Sequence, residues 1–277
     1  MLKIVQTIKE KLSQIERREN IRILYACESG SRAWGFACAD SDYDVRFVYV
    51  RPFEDYLRIK DLPDFIDCEL DEVYDINGWD LKKFCKQVLK SNPVMFEWIQ
   101  SPIVYKTSPE WESNKSLFLE FYDKVSGFHH YSGMAKKNCL NLICEDEKTK
   151  LPKKNNCKEL ASAFENSKND VSYKKYLYVL RPLLACEWIN KKNFVVPIEF
   201  EKLVQNVLPK ELIPLVNELL EQKKNSLEKQ KGNRIFELDK FIQEKIESLF
   251  YENSVQSFRE HKSSEILDCI FYKCIMN

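Results

Sequence analysis

Residues 21–50 read IRILYACESGSRAWGFACADSDYDVRFVYV, and the order of residue types in this stretch decides the fold. Ile21–Glu28 is short, mostly apolar and rich in β-formers, which is the pattern of a buried strand. It breaks off at Ser29-Gly30-Ser31. A polar loop over Cys38–Ser41 leads into Asp42–Val50, whose β-branched and aromatic content predicts a second strand, closed by Pro52. Side chains alternate across a strand, so Asp42, Asp44 and Arg46 share one face, with Tyr43, Val45 and Phe47 on the other. Two carboxylates a pleat apart repel each other unless cations sit between them. Hard oxygen ligands in that arrangement suit Mg²⁺ or Mn²⁺. Ions held there can lower the pKa of an attacking hydroxyl and stabilise a departing phosphate.

The Gly-Ser turn supplies the other half of such a site. The chain has only 6 glycines, and Gly30 and Gly35 both fall in this stretch. Gly30 lets the backbone bend sharply and approach a ligand without a Cβ. The helix start that follows aims free N–H groups at an anion, and Ser31 adds a hydroxyl donor. Arg32 and Arg46 are candidates to reach phosphate oxygens. Each feature alone has a plain structural explanation. An Asp-x-Asp arises by chance, a Gly-Ser is usually a turn, and Arg46 could simply keep two acids quiet as an ion-pair partner. Taken together, between two strands, they predict a triphosphate cradle beside a metal site.

Outward from this core, Ile4, Ile8, Leu12 and Ile15 recur at helical spacing and predict an amphipathic helix over residues 2–19. Phe65–Leu70 and Val73–Asn77 predict two more short strands, antiparallel across Asp71-Glu72. From Asp80 the period changes, and Leu81, Phe84, Cys85, Val88 and Leu89 mark a helix face. Asn92-Pro93 then reads as an N-cap followed by a first-turn proline. Beyond about residue 106 strand signals almost vanish. Residues 109–143, 171–190, 198–228 and 234–275 read as largely helical, and the polar stretch 144–170 reads as a mobile loop. The expected fold is α+β, a short mixed β-sheet with flanking helices over residues 1–107, followed by an all-helical domain over 108–277.

Composition agrees with a globular chain. Its 277 residues are 44% hydrophobic and 31% charged, and 43 basic residues balance 43 acidic ones. No large basic field marks nucleic acid or anionic lipid as a partner, although balance overall leaves room for a local groove. No run approaches the roughly 18 apolar residues of a membrane span, and the charged start excludes a signal peptide. The 10 cysteines form no C-x-x-C pair and read as reduced, mostly buried thiols of a cytoplasmic protein.

The string ACESGSRAWGFACADSDYDVRFVYV resembles the DNA polymerase β-like nucleotidyltransferase superfamily, whose signature is a Gly-Ser, a short spacer and two acids on the next strand. It is similar in particular to the YcgL/RlaP-type branch, as are DINGWDLKKF (75–84), KSNPVMFEWIQSPIVY (90–105), HHYSGMAKKN (129–138) and KKYLYVLRPLLACEWI (174–189). The resemblance implies the polymerase β-like fold and the transfer of a nucleoside monophosphate from an NTP, ATP being the expected donor. It also implies divalent ions held by Asp42, Asp44 and a third carboxylate on a later strand. Asp75, at the expected end of the last strand before the DLKKF helix, is chosen for the third, with Glu72 and Glu69 as alternatives. Asp75 also has a reading as the cap of the Gly78-Trp79 turn.

Further candidates lie in the helical half. His130, Met134 and Lys137 share a helix stripe, and His130 could touch base or triphosphate or be a satisfied interhelical histidine. A zinc site lacks partners at the right spacing. On 171–190, Tyr176, Leu180, Leu184 and Trp188 read as core. Lys174, Tyr178 and Arg181 form another face with Lys175 beside them, either solvated or set to neutralise phosphates as pyrophosphate leaves. Pro182 is expected to kink that helix or mark its start. Trp34 and Trp98 could stack on a base, although Trp98 reads as buried. The residues leave the acceptor open among an RNA end, a small molecule and a protein hydroxyl. A non-catalytic nucleotide-binding module that kept the pocket is the alternative of a different class.

Overall fold

The computed structural model describes residues 2–70, 73–143, 157–167, 169–192, 194–225, 231–251 and 262–276. The apolar run after the first helix forms β1 (Arg22–Glu28), at which every residue but the first is buried. A sheet position flanked on both sides explains that burial. The sheet order is β3-β4-β2-β1-β5, with β2 at Tyr43–Val50, β3 at Phe65–Leu70, β4 at Tyr74–Asp80 and β5 at Val104–Thr107. β2 and β4 run parallel, and the other pairs are antiparallel, so the sheet is mixed as expected.

Contacts divide the chain into two compact units, Met1–Trp34 with Ser41–Tyr122 and Glu260–Asn277, and Gly35–Asp40 with Asp123–Arg259. In the first unit, α1 (Leu2–Glu19) lays Ile8, Leu12 and Ile15 on one sheet face, against Ala26, Val45, Phe47 and Ile76. At Gly78, opposite Phe47 across the parallel pair, a Cβ would fall 2.0 Å from the Phe47 ring, so glycine makes the room that ring fills. The first turn after β1 is α2 (Gly30–Trp34). The other sheet face carries α3 (Leu81–Leu89), α4 (Pro93–Ile99) and α5 (Pro109–Leu119). There Tyr25 stacks on Trp111 at 4.3 Å, and Phe84 and Phe118 close around the same indole.

The Asn92 cap is where the sequence put it, and Asp80, read only as the point where the period changes, is a second cap. Asp80 accepts from the Lys82 N–H, and Asn92 from the Val94 N–H with Pro93 behind it. In the first unit three details differ from the sequence reading. β4 runs on to Asp80, so Asp75 sits near its start and not at its end. β5 went unread, because four residues carry too little pattern to stand out. The last described helix, α12 (Glu265–Met276), packs within the first unit on α3 and α5, where a division after residue 107 would separate it from the sheet.

The second unit consists of α6 (Lys124–Ile143), α7 (Cys157–Glu165), α8 (Tyr173–Lys192), α9 (Phe200–Val207), α10 (Ile213–Lys224) and α11 (Phe236–Tyr251); α12 spans Glu265–Met276 of the first. It also holds a short antiparallel pair, β6 (Asp170–Ser172) with β7 (Lys231–Asn233), so residues 170–172 are strand before the helix begins. α7 is helix inside the stretch expected to be loop; residues 144–156 lie outside the described ones. α8 runs unbroken through Pro182. Proline lacks the N–H that would bond the Tyr178 carbonyl, and the Asn138 amide of α6 donates to that oxygen instead, at 2.7 Å. Among the described residues no helix is long and apolar enough to cross a membrane.

Candidate active site

The site is built where β1 and β2 part. β1 ends at Glu28, the backbone turns into α2 with Gly30 at φ +58, and β2 returns past it. The Ser29 N–H donates to the Asp44 carbonyl at 2.8 Å, which pins the bend to the acid's own peptide. The approach is so close that a Cβ on Gly30 would stand 2.0 Å from Asp44 Oδ2. The positive φ and this contact both demand glycine. Ser31, behind it, is buried.

The parallel register of β2 and β4 sets Asp44 directly beside Asp75. Arg46, two residues on along β2, lies between them. Its Nη2 donates to Asp75 Oδ2 at 2.6 Å and to Asp44 Oδ1 at 3.2 Å, and its Nη1 to the Asp75 carbonyl at 2.7 Å. The three side chains are 15–25% exposed, enough shielding for charge to matter. Asn77 Nδ2 donates to the remaining Asp75 oxygen at 3.4 Å. Sequence reasoning thus brought together Gly30, Asp44, Arg46 and Asp75, and Arg46 takes the ion-pair role.

Asp42 lies just before β2 and is exposed. Arg32 does not reach outward: its Nε donates to the Asp42 carbonyl at 2.9 Å and its Nη2 to the Ser41 carbonyl at 2.5 Å. The Arg32 guanidinium also covers the Tyr43 ring at 3.7 Å. It braces the entrance of β2. Glu69 is in β3, its backbone opposite Ile76, and Glu72 lies outside the described residues. Trp34 donates from Nε1 to Glu97 at 3.3 Å, and Trp98 is buried edge-on to Trp79.

Sequence reasoning missed Glu28. It is fully buried, accepts from the Asp44 N–H at 2.8 Å on Oε1, and accepts a short hydrogen bond from the Tyr105 hydroxyl on Oε2. Burial pushes its carboxyl up to about 7, helped by the neighbouring Asp44 charge and opposed by those two hydrogen bonds. A charged residue closing an apolar strand looks like the strand's exit to solvent, so only the unbroken burial could have flagged it.

The candidates of the helical half belong to the second unit. Arg181 departs from its expected place on a phosphate-facing surface: it is 1% exposed inside α8 and donates to the Ile198 carbonyl at 3.5 Å. His130 and Lys175 are half-buried on α6 and α8, with the His130 ring edge-on to Tyr131.

Among the described residues no three His, Cys, Asp or Glu side chains already converge as an ion cage. The donor set nevertheless fits Mg²⁺ or Mn²⁺. Asp44 and Asp75 are hard oxygen donors side by side, and a cation, the Arg46 guanidinium, already answers their charge. Asp42, two residues before Asp44, is exposed.

The family model described as "RlaP: RNA repair pathway DNA polymerase beta family" matches residues 4–273. A curated relative, "Uncharacterized protein YcgL" of Bacillus subtilis (strain 168), is 36% identical over 246 residues, covering 88% of this chain and 86% of its own. Among solved structures, a nucleotidyltransferase-like protein from Exiguobacterium sibiricum 255-15 is similar at a TM-score of 0.32 and 10% identity, over 97% of this chain and 87% of that one.

Proposed function

We propose, from the premise that this chain belongs to the RNA repair pathway DNA polymerase beta family, that it is a metal-dependent nucleotidyltransferase. It moves a nucleoside monophosphate from ATP to an acceptor hydroxyl and releases pyrophosphate. The family's description favours an RNA end as the acceptor over a small molecule or a protein hydroxyl.

One observation carries the reading: the Gly30 bend presses on Asp44, and Asp44 lies in register with Asp75. The N–H groups after Gly30 and the Ser31 hydroxyl bind the triphosphate, which the bend brings against the acids. Asp42, Asp44 and Asp75 would hold Mg²⁺ or Mn²⁺, which supplies a lowered hydroxyl pKa and charge neutralisation at the leaving pyrophosphate. Asp75 also accepts the acceptor's proton, and the rigid bend orients the α-phosphorus for in-line attack. Arg46 swings from the acids to phosphate oxygens when the ions bind.

A second reading, a non-catalytic nucleotide-binding module, is favoured by the same Arg46, which fills the gap between the acids with the protein's own cation. Incubation with each α-labelled NTP, RNA ends and Mg²⁺ or Mn²⁺ separates the two. The enzyme labels the acceptor, and Asp44→Asn loses that labelling by about 100-fold or more while the fold persists. Nucleotide binding without turnover selects the module. An Asp42→Asn, Asp44→Asn double variant as fast as wild type refutes the mechanism.

A further inference from the structure

We propose that Glu28 is a positioning residue that sets Asp44 in its working orientation, an inference that rests on the nucleotidyl-transfer reading above. β1 leaves the sheet after Glu28, one step before Asp44 would find its next backbone acceptor on that strand. The Glu28 carboxylate accepts the Asp44 N–H at 2.8 Å, while the Ser29 N–H holds the Asp44 carbonyl at 2.8 Å. The backbone N–H and carbonyl of a single acid are thereby held by two consecutive residues, the last of β1 and the first beyond it.

Glu28 is itself fixed on three sides. Its backbone N–H donates to the Ile103 carbonyl at 2.9 Å, its carbonyl accepts from Ser101 Oγ at 2.6 Å, and Tyr105 of β5 donates to its second carboxylate oxygen. The load therefore passes from β5 through Glu28 to Asp44. Burying a carboxyl completely is costly, and an apolar residue at this place would pack without that cost. An apolar residue could not accept the Asp44 N–H. The arrangement suits precision at the acid better than it suits stability.

Two substitutions separate the roles. Glu28→Gln keeps an oxygen for the Asp44 N–H at the same volume, whereas Glu28→Met fills the space with no acceptor. Three measurements are made on wild type and both variants: Mn²⁺ affinity by paramagnetic resonance without nucleotide, kcat and KM for NTP-dependent labelling, and thermal unfolding. For Glu28→Met the expectation is about a 10-fold weaker Mn²⁺ affinity and about a 100-fold lower kcat, with KM for NTP nearly unchanged. Glu28→Gln is expected to restore both to within about fivefold of wild type.

Wild-type Mn²⁺ affinity and kcat in folded Glu28→Met overturn the proposal, as does a Glu28→Gln variant as impaired as Glu28→Met. Should Glu28→Met not fold, Tyr105→Phe, which removes one prop, serves instead. It is expected to lower Mn²⁺ affinity and kcat in part, and unchanged values overturn the proposal. A wild type that binds Mn²⁺ yet labels nothing defeats the nucleotidyl-transfer reading alone, because the metal titration still decides Glu28. A wild type that binds no Mn²⁺ defeats both.

Discussion

Gly30 and Asp44 act as one object, because the acid's oxygen occupies the volume that any side chain at position 30 would need. Gly30→Ala forces the carboxylate aside and places alanine at φ +58, a strain of about 1–2 kcal/mol. The expected outcome is a loss of nucleotidyl transfer of about 100-fold or more, with the unfolding temperature lowered by only a few degrees, read by kinetics and thermal melts side by side. At this scale Gly30, Asp44 and Arg46 were legible in the sequence, since strand alternation and a turn glycine leave direct marks; Asp75 was chosen only through the family resemblance, and as the end of a strand that in fact begins there. Glu28 and the buried Arg181 were not. What a lone charged side chain meets is decided by elements distant in the chain, by Tyr105 for the first and Ile198 for the second.

Helix ends offer tests of a different kind. Asp80 caps α3, accepting from the Lys82 N–H at 2.8 Å and the Tyr56 hydroxyl at 2.7 Å, and its burial holds its carboxyl above the usual range. An acid whose pKa is raised by folding binds its proton more tightly in the native state. The stability this brings is present at pH below the unfolded value and is lost as pH rises through the native one. Asp80→Asn keeps a capping oxygen and does not titrate, so its melting temperature should gain on wild type as pH climbs above about 4. Asp80→Ala, with no cap, should lose about 1 kcal/mol below about pH 4, and that deficit should shrink as pH climbs.

Within the second unit, Asn138→Leu would leave the Tyr178 carbonyl without its amide opposite Pro182. The expected cost is about 1–3 kcal/mol in denaturant unfolding. The Asn92 cap and the helix over 2–19 could be read from residue types, because capping and periodicity are local. β5 could not. Its four residues become strand only through pairing with β1, a partner roughly eighty positions away in the chain.

The first unit is completed by α12, whose Leu267, Ile270 and Cys274 are buried and whose Phe271 meets Tyr56 edge-on at 5.1 Å. Arg22, at the start of β1, donates to the Cys274 carbonyl at 2.7 Å and to Glu110 at 3.0 Å. Each buried apolar side chain there contributes about 1.5–3 kcal/mol. Truncation before Glu265 should therefore lower the calorimetric transition of the sheet unit, while the far-ultraviolet signal of the helical unit survives. During synthesis the strands of the sheet leave the ribosome long before their closing helix, by an interval on the order of ten seconds. Until then the flank of α3 and α5 that α12 covers faces water, and the chain must carry that apolar surface exposed through the interval.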